Sequence, residues 1–289
     1  MQYHDSISKF LFEKLPVRGE LVHLDASWQA ALERVVYPEA VRSLLGEAMA
    51  ATALLAATLK FDGALTLQVQ GDGPMHLLVV QCTSERQLRG LARWHGTVTA
   101  GGLAALAGEG RLAITIEQEG KPERYQGIVP LAGATLAHAI EGYFERSEQL
   151  PTRLWLAADA RRAAGLLLQA LPEERNADAW QHVTVLADTV TPAELLELAP
   201  RQLLHRLYHE DDLRLFEPSP VMFRCSCTRE RVAGMLRGLG QGEVAAIVQE
   251  EGGVKVECQF CGKTYEFDRV DAEGLFAADV PAPGSRATH

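Results

Sequence analysis

This chain has few cysteines, few aromatic residues and no obvious targeting segment. Of its 289 residues, 5 are cysteine, and aromatic residues make up 7%. The uncharged apolar stretch at residues 48–59 is too short and too rich in alanine to cross a bilayer. Residues 1–6 lack a basic region followed by an apolar segment, so we expect no secretory signal. These absences predict a cytoplasmic protein with no membrane partner.

The chain also lacks any concentration of basic residues. Its 28 lysines and arginines are outnumbered by 38 aspartates and glutamates, which gives a net charge of −10 at pH 7. A general nucleic-acid-binding protein needs a basic face, so we expect no nucleic acid among the partners. No serine–histidine–aspartate or cysteine–histidine set can be singled out, which points away from an enzyme.

Four of the five cysteines lie near the C-terminus, in two close pairs. Cys225 and Cys227 form a Cys-x-Cys pair, and Cys258 and Cys261 form a Cys-x-x-Cys pair. Zn²⁺ takes four tetrahedral sulfur ligands, which proteins often supply as short-spaced pairs. In a reducing compartment such pairs are more often ligands or redox centres than structural disulfides. The pattern therefore predicts that these four cysteines bind Zn²⁺.

The predicted zinc site has two possible roles. The first is a structural ribbon, closed and inert to oxidants. The second is a thiol switch, because four thiolates on one Zn²⁺ leave a net charge of about −2 and keep every sulfur deprotonated. Thiolate is the form that peroxide oxidises to sulfenic acid and then to disulfide. The spacing alone does not choose between the two roles.

Hydrophobic periodicity predicts an α+β core over residues 1–171, built around an antiparallel or mixed sheet. Apolar residues recur every three or four positions from Val41 to Leu59, which predicts a helix with Pro38 in its first turn. Thr135 is placed to cap a second helix that runs to about Arg146. The other predictions are hairpins at 64–70 with 75–82 and at 111–118 with 124–129, a strand at 153–158, an apolar run of uncertain type at 163–171, and a mobile loop at 97–110.

The composition changes after residue 171, and residues 172–220 are predicted to form a helical linker. Helices are expected near residues 177–188, 192–198 and 201–209, each with an apolar face that needs a partner surface. Such a segment has few contacts of its own and should open at modest cost, which suits a metastable sensor.

The last predicted region, residues 221–289, contains the cysteine pairs and a short tail. Its predicted elements are helices at 229–239 and 243–250, strands at 254–256 and 264–267, and a disordered tail at 277–289. A region this small buries little apolar surface, so metal coordination would contribute a large part of its stability.

Other candidate sites are weaker. His205 and His209 share one helix face, but the glutamate of a metalloprotease motif is missing, so a packing or hydrogen-bonding role is favoured. Residues 262–264 match only the end of a phosphate-binding loop and precede a strand. Cys82 ends a predicted strand and is expected to be a small buried apolar residue.

Several runs of the chain resemble one family. Residues 215–227, 258–261 and 265–267 look like the C-terminal zinc region of the heat shock protein 33 family, the redox-regulated holdase chaperones of the bacterial cytosol. Residues 125–129 and 204–210 are also similar, so the resemblance covers nearly the whole chain. The combination of Cys-x-Cys with Cys-x-x-Cys is much more specific than either pair alone.

The resemblance implies a function and a mechanism. In the reduced state the four cysteines would hold Zn²⁺ and the chaperone would be inactive. Peroxide or hypochlorous acid, together with unfolding conditions, would produce the disulfides Cys225–Cys227 and Cys258–Cys261. The zinc region and the linker would then lose structure, and the protein would bind unfolding client proteins without ATP, often as a homodimer.

Two other hypotheses remain open on the sequence. One is a binding module with a purely structural zinc ribbon, in which peroxide would leave the metal bound. The other is an enzyme of unrecognised type with His205 and His209 in its site.

Overall fold

The structure, a computed structural model, describes residues 4–121, 123–172 and 176–277. The chain forms two compact units, Met1–Arg224 and Cys225–His289, which we call unit 1 and unit 2. Both units combine helices with strands, so the predicted α+β fold class is confirmed. Apart from Ala277, the predicted disordered tail at 277–289 lies outside the described residues.

Unit 1 contains the long elements of the chain. Its strands are β1 (Ser6–Phe12), β2 (Val17–Leu24), β3 (Gly63–Gly71), β4 (Met75–Thr83), β5 (Gln87–Trp94), β6 (Gly110–Gln118), β7 (Arg124–Pro130), β8 (Thr152–Ala158), β9 (Ala163–Ala170), β10 (Leu213–Leu215), β11 (Ser219–Pro220) and β12 (Met222–Phe223). Its helices are α1 (Ala26–Leu32), α2 (Glu39–Thr58), α3 (Leu103–Ala107), α4 (Leu136–Tyr143), α5 (Ala177–Ala187), α6 (Pro192–Glu197) and α7 (Pro200–Tyr208). A π-helical turn, Phe144–Glu148, extends α4, so the helical segment passes Arg146, near which the sequence predicted its end.

The strands of unit 1 form two sheets. The first has the order β10-β1-β2-β9-β8, with β11 also paired to β1, and its pairings are antiparallel. The second has the order β12-β5-β4-β3-β6-β7, and β12 runs parallel to β5 whereas its other pairings are antiparallel. The two predicted hairpins are confirmed as β3–β4 and β6–β7, and the apolar run of uncertain type is strand β9.

Helix α2 lies between the two sheets because almost its whole circumference is apolar. It packs on β8 and β9 of the first sheet and on β4 and β5 of the second. Every residue from Ala48 to Ala56 is buried. Gly165 in β9 allows the close approach, since a Cβ there would lie 2.8 Å from Cδ1 of Leu54. By length and composition α2 could cross a membrane, but 72% of its apolar window is buried within the protein.

Helices α5, α6 and α7 cover the other face of the first sheet, and we call them the helical layer. The apolar cluster between them includes Val183, Leu195, Leu203, Leu207 and Tyr208 of the layer and Phe10, Phe12, Leu21, Leu166 and Leu168 of the sheet. This cluster is separate from the one around α2, so the first sheet is buried on both faces. The three helices predicted for the linker are confirmed, and they belong to unit 1.

Unit 1 differs from the sequence predictions in one loop and in several elements that were not predicted. The expected mobile loop at 97–110 contains α3, and its residues Leu103 and Leu106 are buried in the core. The loop is held because the backbone amide of Gly73 donates to the carbonyl oxygen of Ala107 at 2.9 Å. The elements without a sequence prediction are α1, β1, β2, β5, β10, β11 and β12. In β2, burial on both faces removes the alternation that marks a half-exposed strand.

Unit 2 is small and contains α8 (Arg229–Leu239), α9 (Gln241–Glu251), β13 (Val254–Glu257), β14 (Thr264–Phe267) and α10 (Arg269–Ala277). Strands β13 and β14 form an antiparallel hairpin. The apolar core joins Leu236 of α8 to Tyr265 and Phe267 of β14 and to Leu275 of α10. These elements follow the predictions except for α10, which was not expected. A core of this size buries little apolar surface and gains much from a crosslink.

His23 in β2 is buried directly beneath the helical layer. It is 2% exposed, and its Nε2 lies 3.0 Å from the backbone oxygen of Leu195 in α6. Burial lowers the pKa of His23 to about 4, and the charged or titratable neighbours that act on it are Asp25, His4 and Arg162. The fold accommodates His23 only as a neutral ring. The stability that burial of this neutral ring contributes is therefore complete above pH about 6.5 and is lost as the pH falls toward 4.

Replacing His23 with glutamine should therefore weaken the acid sensitivity of unit 1. Glutamine can donate a hydrogen bond to Leu195 but does not titrate. Between pH 7 and pH 5 the wild-type chain should lose about 2 kcal/mol of stability relative to H23Q. Urea unfolding at both pH values measures this difference, and hydrogen exchange in α5–α7 reports it locally. Carboxyl groups such as Glu20 titrate in both proteins and cancel, so a difference that stays constant with pH would contradict the prediction.

Candidate metal centre

The two cysteine pairs occupy two different local structures in unit 2. Cys225 and Cys227 lie in the extended segment before α8, whose first turn is capped by the Thr228 side chain accepting from the backbone amide of Arg231. Cys258 and Cys261 lie in the turn between β13 and β14. The backbone amide of Cys258 donates to the oxygen of Lys263 at 2.9 Å, and that of Gly262 donates to the oxygen of Cys258 at 2.7 Å.

Glycine is required at one position of this turn. Gly262 has φ +64, in the left-handed region that residues with a Cβ seldom adopt. The chain thereby turns directly after the Cys-x-x-Cys pair and enters β14. The tight turn brings Cys258 and Cys261 to one side of the hairpin, as the spacing of a metal-binding turn requires.

The structure brings all four sulfur atoms together, and we call Cys225, Cys227, Cys258 and Cys261 the four-cysteine cluster. Their Sγ atoms all lie within 4.8 Å of one another. The short separations join residues of different pairs, 3.5 Å from Cys225 to Cys258 and 3.3 Å from Cys227 to Cys261. Tetrahedral coordination with metal–sulfur bonds of about 2.3 Å needs sulfur atoms about 3.8 Å apart. The four cysteines are therefore positioned to hold a metal ion.

The electrostatics of the cluster also favour a cation. Burial is the main cause that raises the pKa of Cys261 to about 12, and contacts with the neighbouring sulfurs that favour its protonated thiol add to this rise. The thiol would therefore stay protonated at neutral pH unless a positive charge compensated the thiolate. A divalent ion supplies that charge, and four sulfur donors without oxygen suit a borderline-soft metal such as Zn²⁺. The donor set and its spacing thus fit the ion that the sequence predicts.

Side chains around the cluster hold its two halves in place. The hydroxyl of Tyr265 lies 2.9 Å from the backbone oxygen of Cys227 and 3.2 Å from its Sγ. Arg229 donates to the backbone oxygen of Glu266 at 2.6 Å and lies over the ring of Phe267, 4.2 Å from its centroid. These contacts tie the start of α8 to β14. The sequence does not reveal them, because the partners lie 37 to 38 positions apart along the chain.

The other sequence candidates do not join a metal-binding group among the described residues, where the four-cysteine cluster is the one such group of three or more potential ligands. Cys82 is buried in β4, and burial raises its pKa to about 12, as expected for an apolar thiol. His205 and His209 are exposed, with ring centroids 6.1 Å apart. Residues 262–264 form the turn into β14 and no phosphate-binding loop.

Known proteins match this chain over its length. A family model described as Hsp33 protein matches residues 5–268. The chain is 51% identical over 290 residues to a 33 kDa chaperonin of Nitrosococcus oceani and 47% identical over 293 residues to one of Methylobacillus flagellatus, with 100% of each chain covered. The crystal structure of the 33 kDa chaperonin (heat shock protein 33 homolog) of Thermotoga maritima shares the fold, with TM-score 0.83, 24% identity and coverage of 94% of this chain and 98% of that one. Because both the family model and these relatives extend along nearly the whole chain, it belongs to the Hsp33 protein family.

Proposed function

We propose that this chain is a redox-regulated chaperone of the cytoplasm, which binds unfolding proteins without ATP after its zinc centre is oxidised. It would protect cells against combined oxidative and heat stress, and it would act by binding rather than catalysis. The observation that carries the proposal is the four-cysteine cluster, with all Sγ atoms within 4.8 Å, in a member of the Hsp33 family. The relatives named 33 kDa chaperonin support the chaperone activity.

In the reduced state the four-cysteine cluster would hold one Zn²⁺. The ion would supply the positive charge that keeps the sulfurs as thiolates and would crosslink the segment before α8 to the β13–β14 turn. The apolar core of unit 2 is confined to short elements, so this crosslink would provide much of its stability. Loss of the thiolates therefore removes both the charge balance and the crosslink.

The oxidation chemistry uses two cysteines for each molecule of peroxide. A thiolate sulfur attacks one peroxide oxygen, so that an S–O bond forms, the O–O bond breaks and hydroxide leaves. A second thiol attacks the resulting sulfenic acid, which forms the S–S bond and releases water. The proposed products are Cys225–Cys227 and Cys258–Cys261. The 3.5 Å and 3.3 Å separations across the pairs make Cys225–Cys258 and Cys227–Cys261 the competing products.

Client binding would follow from opening of the helical layer. The chain runs from α7 through β10, β11 and β12 directly into Cys225, so structural loss in unit 2 reaches this segment through a short connection. Opening would expose the apolar side of α5–α7 and the sheet residues Phe10, Phe12 and Leu21. An apolar surface of this kind is what binds unfolding chains. We propose residues 172–220 as the metastable sensor, with homodimers forming through the exposed surfaces after oxidation.

Oxidised and reduced protein should differ in their effect on client aggregation. At elevated temperature, peroxide-treated protein should suppress light scattering by a denatured client, whereas reduced, zinc-loaded protein should not, and ATP should change neither result. The variant Cys82→Ala should respond like the wild type, because this thiol lies outside the four-cysteine cluster. Equal suppression by both redox states would rule out a redox-regulated holdase.

Oxidation should also release zinc and form disulfides in a fixed ratio. Titration with peroxide should release about one Zn²⁺ per chain as about two disulfides form, because four thiolates hold one ion. A chromogenic chelator measures the zinc, and peptide mass spectrometry distinguishes the pairings within each close pair from those across the pairs. Zinc that stays bound while exposed thiols oxidise would favour the alternative, a binding module with a structural zinc ribbon.

Loosening the helical layer should give partial activity without oxidation. Leu203 in α7 is 0% exposed, and Leu203→Ala should cost about 2–5 kcal/mol of packing. The reduced variant should therefore suppress client aggregation more than reduced wild type does. Val185→Ala is the matched control, because Val185 lies on α5 of the same layer but is 56% exposed. Equal basal activity in all three proteins would show that opening of this layer does not create the client-binding surface.

A further inference from the structure

One tyrosine contacts the four-cysteine cluster directly. The hydroxyl of Tyr265 lies 3.2 Å from Sγ of Cys227 and 2.9 Å from the backbone oxygen of the same residue. A tyrosine hydroxyl carries one proton, so these two acceptors compete for a single donor. A thiolate carries charge and the carbonyl does not, and hydrogen bonds to charged acceptors are the stronger ones. The proton is therefore directed toward the sulfur whenever Cys227 is a thiolate.

The position of this hydroxyl is fixed by the fold of unit 2. Tyr265 lies in β14 opposite Val256 of β13, and its side chain is part of the apolar core with Leu236 and Phe267. It is 5% exposed, and the ring has little freedom to turn away. The donor is thus pre-positioned and needs no rearrangement to reach Cys227.

We propose that Tyr265 sets the oxidation threshold of the four-cysteine cluster by donating a hydrogen bond to the Cys227 thiolate. This inference rests on the proposed function and names a positioning residue for it. A hydrogen bond draws charge from the sulfur lone pair, and that lone pair must attack the peroxide oxygen as the S–O bond forms and hydroxide leaves. The same bond stabilises the thiolate as a metal ligand. With the tyrosine present, a higher concentration of peroxide is therefore needed to oxidise the reduced cluster.

The test compares the zinc-loaded full-length protein with Tyr265→Phe, which keeps the ring in the core and removes the hydroxyl. At a fixed peroxide concentration, zinc release and thiol loss should become about threefold to tenfold faster in the variant. Replacement of Tyr265 by 3-fluorotyrosine, whose hydroxyl is a stronger donor, should slow both processes. This second variant retains the hydroxyl and tests the bond even if the phenylalanine variant folds poorly.

A control separates this effect from loosening of the fold. Val254→Ala weakens the same core in β13 without removing a donor to sulfur. It should accelerate zinc loss to a chelator in the absence of peroxide, whereas Tyr265→Phe should act mainly on the peroxide reaction. In the cobalt-substituted protein, Tyr265→Phe should also shift the sulfur-to-cobalt charge-transfer band to lower energy, because the sulfur becomes a better donor. Val254→Ala, which loosens the core but keeps the hydroxyl, should leave that band in place.

Two results would overturn the inference while leaving the proposed function intact. One is equal rates of peroxide-driven zinc release in wild type and Tyr265→Phe. The other is that Tyr265→Phe raises the rate of peroxide-driven zinc release by no more than it raises the rate of zinc loss to a chelator, and leaves the cobalt band unchanged. A wild-type cluster that peroxide does not oxidise would instead overturn the proposed function, and with it any role of Tyr265 in an oxidation threshold.

Discussion

The convergence of four sulfur atoms joins the two halves of unit 2. The β13–β14 hairpin and the segment before α8 are separated by 30 residues along the chain between Cys227 and Cys258, and the apolar core between them is small. Thiolates only 3.3–3.5 Å apart would repel one another unless a cation compensated their negative charge. In the function proposed above, the sulfurs that would bind such an ion are also the atoms that peroxide would oxidise. Structural support and sensitivity to oxidants would then reside in the same atoms.

Unit 1 has two separate apolar clusters, which suits the proposed opening of its helical layer. The first sheet separates two apolar clusters, one around α2 and one beneath the helical layer. The cluster around α2 draws on both sheets and does not include the layer's helices. Opening of α5–α7 would leave this core in place and would expose the outer apolar face of the sheet. The proposed chaperone mechanism requires this combination of a stable core with a layer that can detach from it.

Predictions from the sequence succeeded where the signal was local. Helix α2, the hairpins β3–β4 and β6–β7 and the layer's helices each show a periodic apolar pattern or a turn within a short window. Strand β2 was missed because both of its faces are buried, so the apolar–polar alternation of a half-exposed strand is absent. Helix α3 within the expected loop at 97–110 was missed, because its contacts with Gly73 and with the core are not visible in its own composition.

The sequence by itself identified the four candidate sulfur ligands, because the cysteines of each pair are only two or three positions apart and must lie close together. It also determined the apolar faces of the helices at 172–220, since helical periodicity is a local property. Only the tertiary structure decided that the two cysteine pairs meet, that Tyr265 reaches Cys227, and that the layer covers the first sheet. Each of these contacts joins residues far apart in the chain. Their formation depends on strand pairing and helix packing, which local spacing does not encode.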